Sequence, residues 1–184
     1  MKILTLITGG TRSGKSRYAL ELARERAGDR AKCFLATAEP LDEEMKVRIL
    51  RHREERGSDF VTVEEPLQLA QTILRVQEQF SLVLVDCLTL WMNNLLSHLS
   101  DEQMEHEVKS FLEVLSLRKT DLLLVTNETG LGVIPDNVLA RRFVDELGDL
   151  NRKVAQISDE VILMVSGIPN TIKGGINAKL AERM

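Results

Sequence analysis

Cysteine is scarce in this 184-residue chain: Cys33 and Cys87 are the two present, and they do not share a CxxC spacing. That argues against a zinc site and favours two buried thiols in a reducing compartment. A basic excess is missing as well. The net charge is −4 and the pI about 5.5, whereas a general nucleic-acid binder carries positive charge to meet phosphates. The basic cluster at Arg48–Arg56 is local and is interrupted by Glu54 and Glu55. No apolar run approaches the ~20 residues of a membrane span, so stable membrane insertion is not expected. The N-terminus lacks the basic n-region and cleavage site of a signal peptide, and a cytoplasmic protein is the expectation. Repeats, low-complexity stretches and linkers are absent too. One domain is expected over residues 1–172, followed by a tail over 173–184 that holds two glycines and a short Ala/Leu pattern.

What is present is an ordinary globular composition, 43% hydrophobic and 28% charged, in a chain long enough to bury a sizeable core. Apolar runs alternate with helical patterns. The strand candidates are Ile3–Ile7, Lys32–Ala36, Phe60–Val63, Leu82–Asp86, Asp121–Thr126 and Glu160–Val165. Most are continuous Val/Ile/Leu runs, which suit parallel strands buried on both faces. Ser16–Ala27 reads as a helix with Ala19, Leu22, Ala23 and Ala27 on one stripe and Gly28 as its stop. Asp42 can cap a helix reaching Arg56, and further helices are predicted over Pro66–Gln79, Leu88–Leu99, Asp101–Leu117 and Asn137–Ile157. Repeated β-α alternation predicts an α/β fold: an open, mostly parallel sheet with helices on both faces.

Gly9-Gly10-Thr11-Arg12-Ser13-Gly14-Lys15-Ser16 fits G-x-x-x-x-G-K-[ST] in full. It follows an apolar strand and opens an amphipathic helix, as a P-loop must. Glycines let the backbone wrap so that its N–H groups point at phosphate oxygens, and the helix start adds its positive dipole end. Lys15 is expected to reach the β- and γ-phosphates of a nucleoside triphosphate, and the Ser16 hydroxyl to ligate Mg²⁺. A second carboxylate near the metal is needed. Asp86 ends the apolar run Leu82–Asp86 and is the candidate, with a helix N-cap for the segment from Leu88 as its alternative, compatible role.

On the helix from Asp42, Met45, Ile49, His52 and Arg56 share one narrow stripe, while Val47 and Leu50 lie roughly opposite. The sequence leaves open which face is buried. His52 stands among Arg48, Arg51, Arg53 and Arg56, cations that disfavour its protonation and favour a nucleophilic imidazole. Those arginines can also hold phosphate oxygens. On residue physics alone a solvated surface histidine remains the simpler reading. His98 and His106 read as surface histidines. Asn127-Glu128, at the end of the strand before Thr129–Pro135, falls at the carboxyl edge of the sheet, as a site or as a plain loop.

The ordered set of motifs resembles the bifunctional adenosylcobinamide kinase / adenosylcobinamide-phosphate guanylyltransferase family of cobalamin biosynthesis. The resemblance runs from about Ile3 to Pro169. It includes the P-loop, Ala36-Thr37-Ala38, Asp42–Met45 with Arg48-Ile49 and His52, and Thr62 with Glu64. It continues through Asp86–Thr89 with Trp91 and Asn94-Leu95, then Asn127-Glu128 with Gly130, Gly132 and Pro135. Arg142-Phe143, Gly148, Asn151 and Ser166-Gly167 close it. Phe60 stands where the family has tryptophan, and Thr129 where valine is usual.

The resemblance implies a P-loop NTPase, RecA-like fold. It implies phosphorylation of adenosylcobinamide with ATP or GTP, then transfer of GMP from GTP to the resulting phosphate, with pyrophosphate released. By the same resemblance His52 carries GMP covalently. Ala36, Thr37, Ala38, Arg53, Glu54, Glu55, Arg56, Glu64 and Asp86 match guanine-nucleotide contacts, and the assembly is a homotrimer. Leu90-Trp91-Met92 reads as interface or core. The rival readings are a P-loop kinase for another small metabolite, which has no need of His52, and a non-enzymatic GTP-binding switch.

Overall fold

The computed structural model describes residues 2–40, 42–132 and 134–174, without the side chains of Arg48 and Glu55. The sequence expectations for the stretch after residue 174, and for the side chains of Arg48 and Glu55, therefore lie outside the described residues.

In chain order the elements are β1 (Leu4–Gly9), α1 (Lys15–Ala27), β2 (Lys32–Ala36), α2 (Glu43–Arg56), β3 (Val61–Glu64), α3 (Leu69–Val76) and β4 (Leu82–Asp86). Then come α4 (Leu88–His98), α5 (Asp101–Ser116), β5 (Asp121–Val125), α6 (Val138–Ile157), β6 (Glu160–Val165) and β7 (Ile168–Lys173). The strands form one 7-stranded sheet in the order β3-β2-β4-β5-β1-β6-β7. All neighbours are parallel except β6 and β7, which pair antiparallel. This is the α/β architecture expected from the alternating pattern.

The central strands are buried on both faces, and their alternate residues feed two cores. Ile7, Leu82, Leu84, Leu123 and Val125 pack with the Ala19, Leu20, Ala23 and Ala27 stripe of α1. Leu4, Leu6, Val83, Val85, Leu122 and Leu124 pack with α3, α4, α5 and α6 on the other side. The short alanine stripe lets α1 lie close to the sheet beneath the P-loop. Within Leu90-Trp91-Met92, Trp91 and Met92 are buried in the core, Leu90 is partly buried, and the Trp91 indole N–H donates to the Leu67 carbonyl at 2.8 Å.

Several ends move by one or two residues, and two elements differ more from expectation. α3 begins at Leu69 rather than Pro66, because the Glu65 carboxylate accepts the N–H groups of Leu67 and Gln68 at 3.0 and 2.8 Å. Those bonds satisfy the backbone in a turn and hold it out of the helix. β7 was not legible. It is an edge strand with every residue exposed, so no apolar run or clean alternation marks it, and Pro169 is tolerated there for the same reason. It extends through Lys173, one residue into the expected tail. Among the described residues, no helix is long and apolar enough to cross a membrane.

Trp91→Ala removes a fully buried indole, its hydrogen bond and its contact with Phe111, whose ring centre is 4.7 Å away. The expected loss is about 3–5 kcal/mol. Urea unfolding checks it, with a lower midpoint at an unchanged slope.

Candidate active site

The register of the sheet assembles the site. Ala36 of β2 is level with Glu64 of β3 on one side and with Asp86 of β4 on the other. Val125 of β5 is level with Asp86 and with Ile7 of β1. The carboxyl ends of five parallel strands therefore form one row, at the edge where open α/β sheets bind ligands.

The P-loop leaves this row from β1. Gly9 adopts φ 147°, and a Cβ there would stand 2.4 Å from the Met164 carbonyl oxygen, so only glycine fits. Gly10 accepts from the Ser13 N–H at 3.2 Å, and the Gly167 N–H donates to the Ser13 carbonyl at 3.0 Å, tying the β6–β7 turn to the loop. Gly14, at φ 92°, starts α1 in a left-handed conformation with no side-chain cap. The first N–H groups of α1 are thus left for an anion. Thr11 and Arg12 are exposed, while Ser13 and Lys15 are buried. The Lys15 ammonium donates to the Gly10 carbonyl at 2.6 Å. Burial holds its pKa below the usual lysine value, opposed by the nearby Cys87, Asp86 and Glu128.

Asp86 faces this loop. The cap position of α4 is Cys87, which makes no side-chain cap bond, so Asp86 is not spent on the helix N-cap that was its alternative role. The Ser16 hydroxyl lies beside its carboxylate. Burial raises its pKa, against the pull of that hydroxyl and of His52, Lys15 and Arg56. Residues from the P-loop, β4 and α2 thus converge on one carboxylate. A raised carboxylate pKa means the site under-compensates negative charge, and a cation would relieve it. Together, the Ser16 hydroxyl and Asp86 offer hard oxygen donors beside a phosphate loop, which fits Mg²⁺. Among the described residues, no group of three or more His, Cys, Asp or Glu could hold a metal ion by itself, and Mg²⁺ at such sites relies on substrate phosphates and water.

On α2 the structure decides between the two faces. Val47 and Leu50 are 66% and 57% exposed, whereas Met45, Ile49 and His52 are partly buried and Arg56 is buried. The stripe carrying His52 faces inward. The side chain of Asp42 caps the helix start, accepting from the Met45 N–H at 2.7 Å. The far end is anchored three ways. Arg53 pairs with Glu64, Arg24 donates to the Arg56 carbonyl at 3.1 Å, and the Arg56 guanidinium stacks 4.0 Å from the centre of the Phe34 ring. Among the described residues its Nε is buried without a hydrogen-bond partner, a donor still to be met.

Ala36 and Ala38 are partly buried at the edge, but Thr37 is wholly buried. The Thr37 hydroxyl donates to the Cys87 carbonyl at 2.8 Å and accepts from the Cys87 N–H at 2.9 Å. Its side chain braces the turn after Asp86. Glu54 is exposed on α2. Asn94 donates to the Thr37 carbonyl at 2.8 Å, and the Thr89 hydroxyl accepts from the Asn127 N–H at 2.8 Å. These supporting contacts were visible in the sequence as residues but not as roles. His98 pairs with Glu39 at 2.9 Å, and His106 is exposed; neither joins the site.

Residues 5–172 match the family model described as cobinamide kinase / cobinamide phosphate guanyltransferase. The chain is 44% identical over 169 residues to the bifunctional adenosylcobalamin biosynthesis protein CobP of Pseudomonas aeruginosa, covering 92% of this chain and 96% of that one. It is 35% identical to the Escherichia coli protein CobU of the same description, covering 93% and 100%. The chain belongs to this family. The family resemblance read from the motifs is thereby borne out. Among solved structures, the flagellar accessory protein FlaH of Methanocaldococcus jannaschii superposes with a TM-score of 0.54 at 10% identity, over 95% of this chain and 79% of that one. That likeness concerns the fold alone.

Cys87 adjoins the site, yet it is a poor nucleophile. Burial, with the Asp86 charge adding to it, pushes its thiol up to about 12, and burial alone does the same to Cys33. The thiolate is the reactive form. A disulfide-exchange reagent at pH 8 is therefore expected to leave both thiols of the native protein unmodified over minutes and to titrate both at once after unfolding in urea.

Proposed function

We propose that this protein performs both reactions by which its family is described, at one triphosphate site. It phosphorylates the aminopropanol hydroxyl of adenosylcobinamide with ATP or GTP. It then transfers GMP from GTP to adenosylcobinamide phosphate through a GMP–His52 intermediate, giving adenosylcobinamide-GDP and pyrophosphate. The observation that carries this reading is the row in which the strand register sets Ala36, Glu64 and Asp86 beside the P-loop strand, with the histidine stripe of α2 turned inward.

In the kinase step the P-loop N–H groups and Lys15 hold the β- and γ-phosphates and offset the charge that develops on the γ-phosphoryl group. In the guanylyl step the neutral His52 imidazole attacks the α-phosphorus, a phosphoramidate bond forms, and the bond to the pyrophosphate oxygen breaks. Pyrophosphate leaves into the same cradle. The phosphate of the corrinoid then displaces His52 from the GMP. Ser16 and Asp86 would hold Mg²⁺, which supplies further neutralisation of phosphate charge when bound.

For the guanine nucleotide we assign Ala36, Ala38, Arg53, Glu54, Glu55, Arg56, Glu64 and Asp86 as contacts. Thr37 acts from beneath by holding Cys87. The unmet Arg56 Nε supports a polar ligand in this corner. Assembly as a homotrimer belongs to the same proposal. The apolar side chains of Val165, Ile168 and Ile172, exposed on the edge hairpin β6–β7, support a self-association surface. Residence in the cytoplasm follows from dependence on nucleoside triphosphates.

Incubation with GTP and Mg²⁺ is expected to add the mass of one GMP to the intact wild-type protein and nothing to His52→Ala. The same variant is expected to keep corrinoid phosphorylation within a few-fold of wild type. A His52→Ala protein that still made adenosylcobinamide-GDP would sink the assignment. A wild type that binds GTP but takes up no GMP would leave a kinase for another metabolite or a switch.

A further inference from the structure

Of the three transfers proposed above, only the first begins with a protonated nucleophile. Neutral His52 attacks with a free lone pair, and so does the ionised phosphate of the phosphorylated corrinoid. The alcohol of the kinase step must lose its proton as its oxygen bonds to phosphorus, and a positioned base speeds such a step.

The carboxylates at the carboxyl edge are mostly committed. Asp86 lies against the Ser16 hydroxyl and is the metal-side carboxylate proposed above, Glu64 is ion-paired to Arg53, and Glu39 is bonded to His98. Glu128 accepts one hydroxyl, on one oxygen, and has no ion pair among the described residues. Because β5 lies between β1 and β4, with Val125 level with both Ile7 and Asp86, the segment Thr126–Glu128 leaves the sheet between the P-loop and Asp86. Five hydrogen bonds fix it there, the first from the Thr126 N–H to the Ile7 carbonyl at 3.0 Å. The Glu128 N–H donates to the Gly9 carbonyl at 3.1 Å and the Asn127 N–H to Thr89. Asn151 spans the pair, accepting from the Thr126 hydroxyl at 2.8 Å and donating to the Asn127 carbonyl at 3.0 Å. One oxygen of the carboxylate, Oε1, accepts the Thr8 hydroxyl at 2.5 Å. Among the described residues the carboxylate makes no other hydrogen bond or ion pair, which leaves Oε2 as an acceptor. The side chain is partly exposed, and its charge acts on Lys15.

We propose that Glu128 is the general base of the kinase step, with Oε2 taking the proton of the alcohol that is phosphorylated. The assignment rests on the function proposed above. The alcohol oxygen bonds to the γ-phosphorus, the bond to the β,γ-bridging oxygen breaks, and the nucleoside diphosphate leaves with that oxygen. The proton passes to Oε2 and then to solvent. The competing role is a brace: Thr8–Glu128 holding the root of the P-loop.

Glu128→Gln separates the two roles, because the amide oxygen still accepts from Thr8 while the basicity is lost. Phosphorylation of adenosylcobinamide and formation of the GMP–enzyme adduct are measured on the same preparations of wild type, Glu128→Gln and Glu128→Asp. The expected result is a fall of about 10²–10⁴-fold in the kinase kcat of Glu128→Gln, with the KM for the triphosphate changed by no more than a few-fold. Adduct formation stays near the wild-type rate, which also certifies the fold. Glu128→Asp, which keeps a carboxylate, is expected to retain more kinase activity than Glu128→Gln. Kinase and adduct formation falling together in Glu128→Gln would make the residue a brace and overturn the assignment, as would an unchanged kinase kcat. A wild type that phosphorylates no adenosylcobinamide would overturn the parent reading, and this one with it, before any variant is compared.

Discussion

The in-register pairing of five parallel strands is the constraint on which the site depends. Parallel strands cannot be joined by hairpins, so each connection must cross a face and return to the same edge. Each of these five strands therefore delivers its carboxyl end to one row. Glu64, Ala36, Asp86 and the segment after Val125 arrive beside the P-loop although up to 120 positions separate them from it, as in the bond between Thr8 and Glu128. A one-residue slip of β4 would send Asp86 to the opposite face and Val85 toward the phosphates. The continuous apolar character of β4 and β5, packed between α1 and the α3–α6 layer, protects against that slip.

Electrostatics then divide the labour along this row. Lys15 and Arg56 are buried cations whose pKa values burial lowers, and Asp86 is a carboxylate whose pKa burial raises. Neither sign of charge is fully satisfied by the protein alone. A site in that condition gains from a ligand that brings both signs, as a metal–triphosphate does, because each buried charge then finds a partner. Anchoring of α2 by Arg53–Glu64 and by Arg56 over Phe34 ties the histidine helix to the same balance.

Much of this was legible in the sequence because the governing signals are local. Leu82–Asp86 and Lys32–Ala36 read as buried strands with the bounds observed. The P-loop carries its own geometry in Gly9 and Gly14. Which face of α2 turns inward was not legible, since Met45, Ile49 and His52 compete with Val47 and Leu50 at nearly equal apolar weight. The choice is made by partners distant in sequence, Phe34, Glu64 and Arg24. β7 was missed because an exposed edge strand buries nothing on either face. The hold of the Thr37 hydroxyl on the backbone of Cys87 was not legible either, because no local pattern encodes a contact across 50 positions.

That one cradle serves both reactions is tested most directly with Lys15→Ala. Corrinoid phosphorylation and GMP–enzyme formation are followed on the same preparation under saturating triphosphate and Mg²⁺. Loss of the ammonium that bridges the loop is expected to depress both rates together, each by at least about 10²-fold. One reaction persisting at the wild-type rate while the other is lost would contradict a shared site and require a second place for the triphosphate.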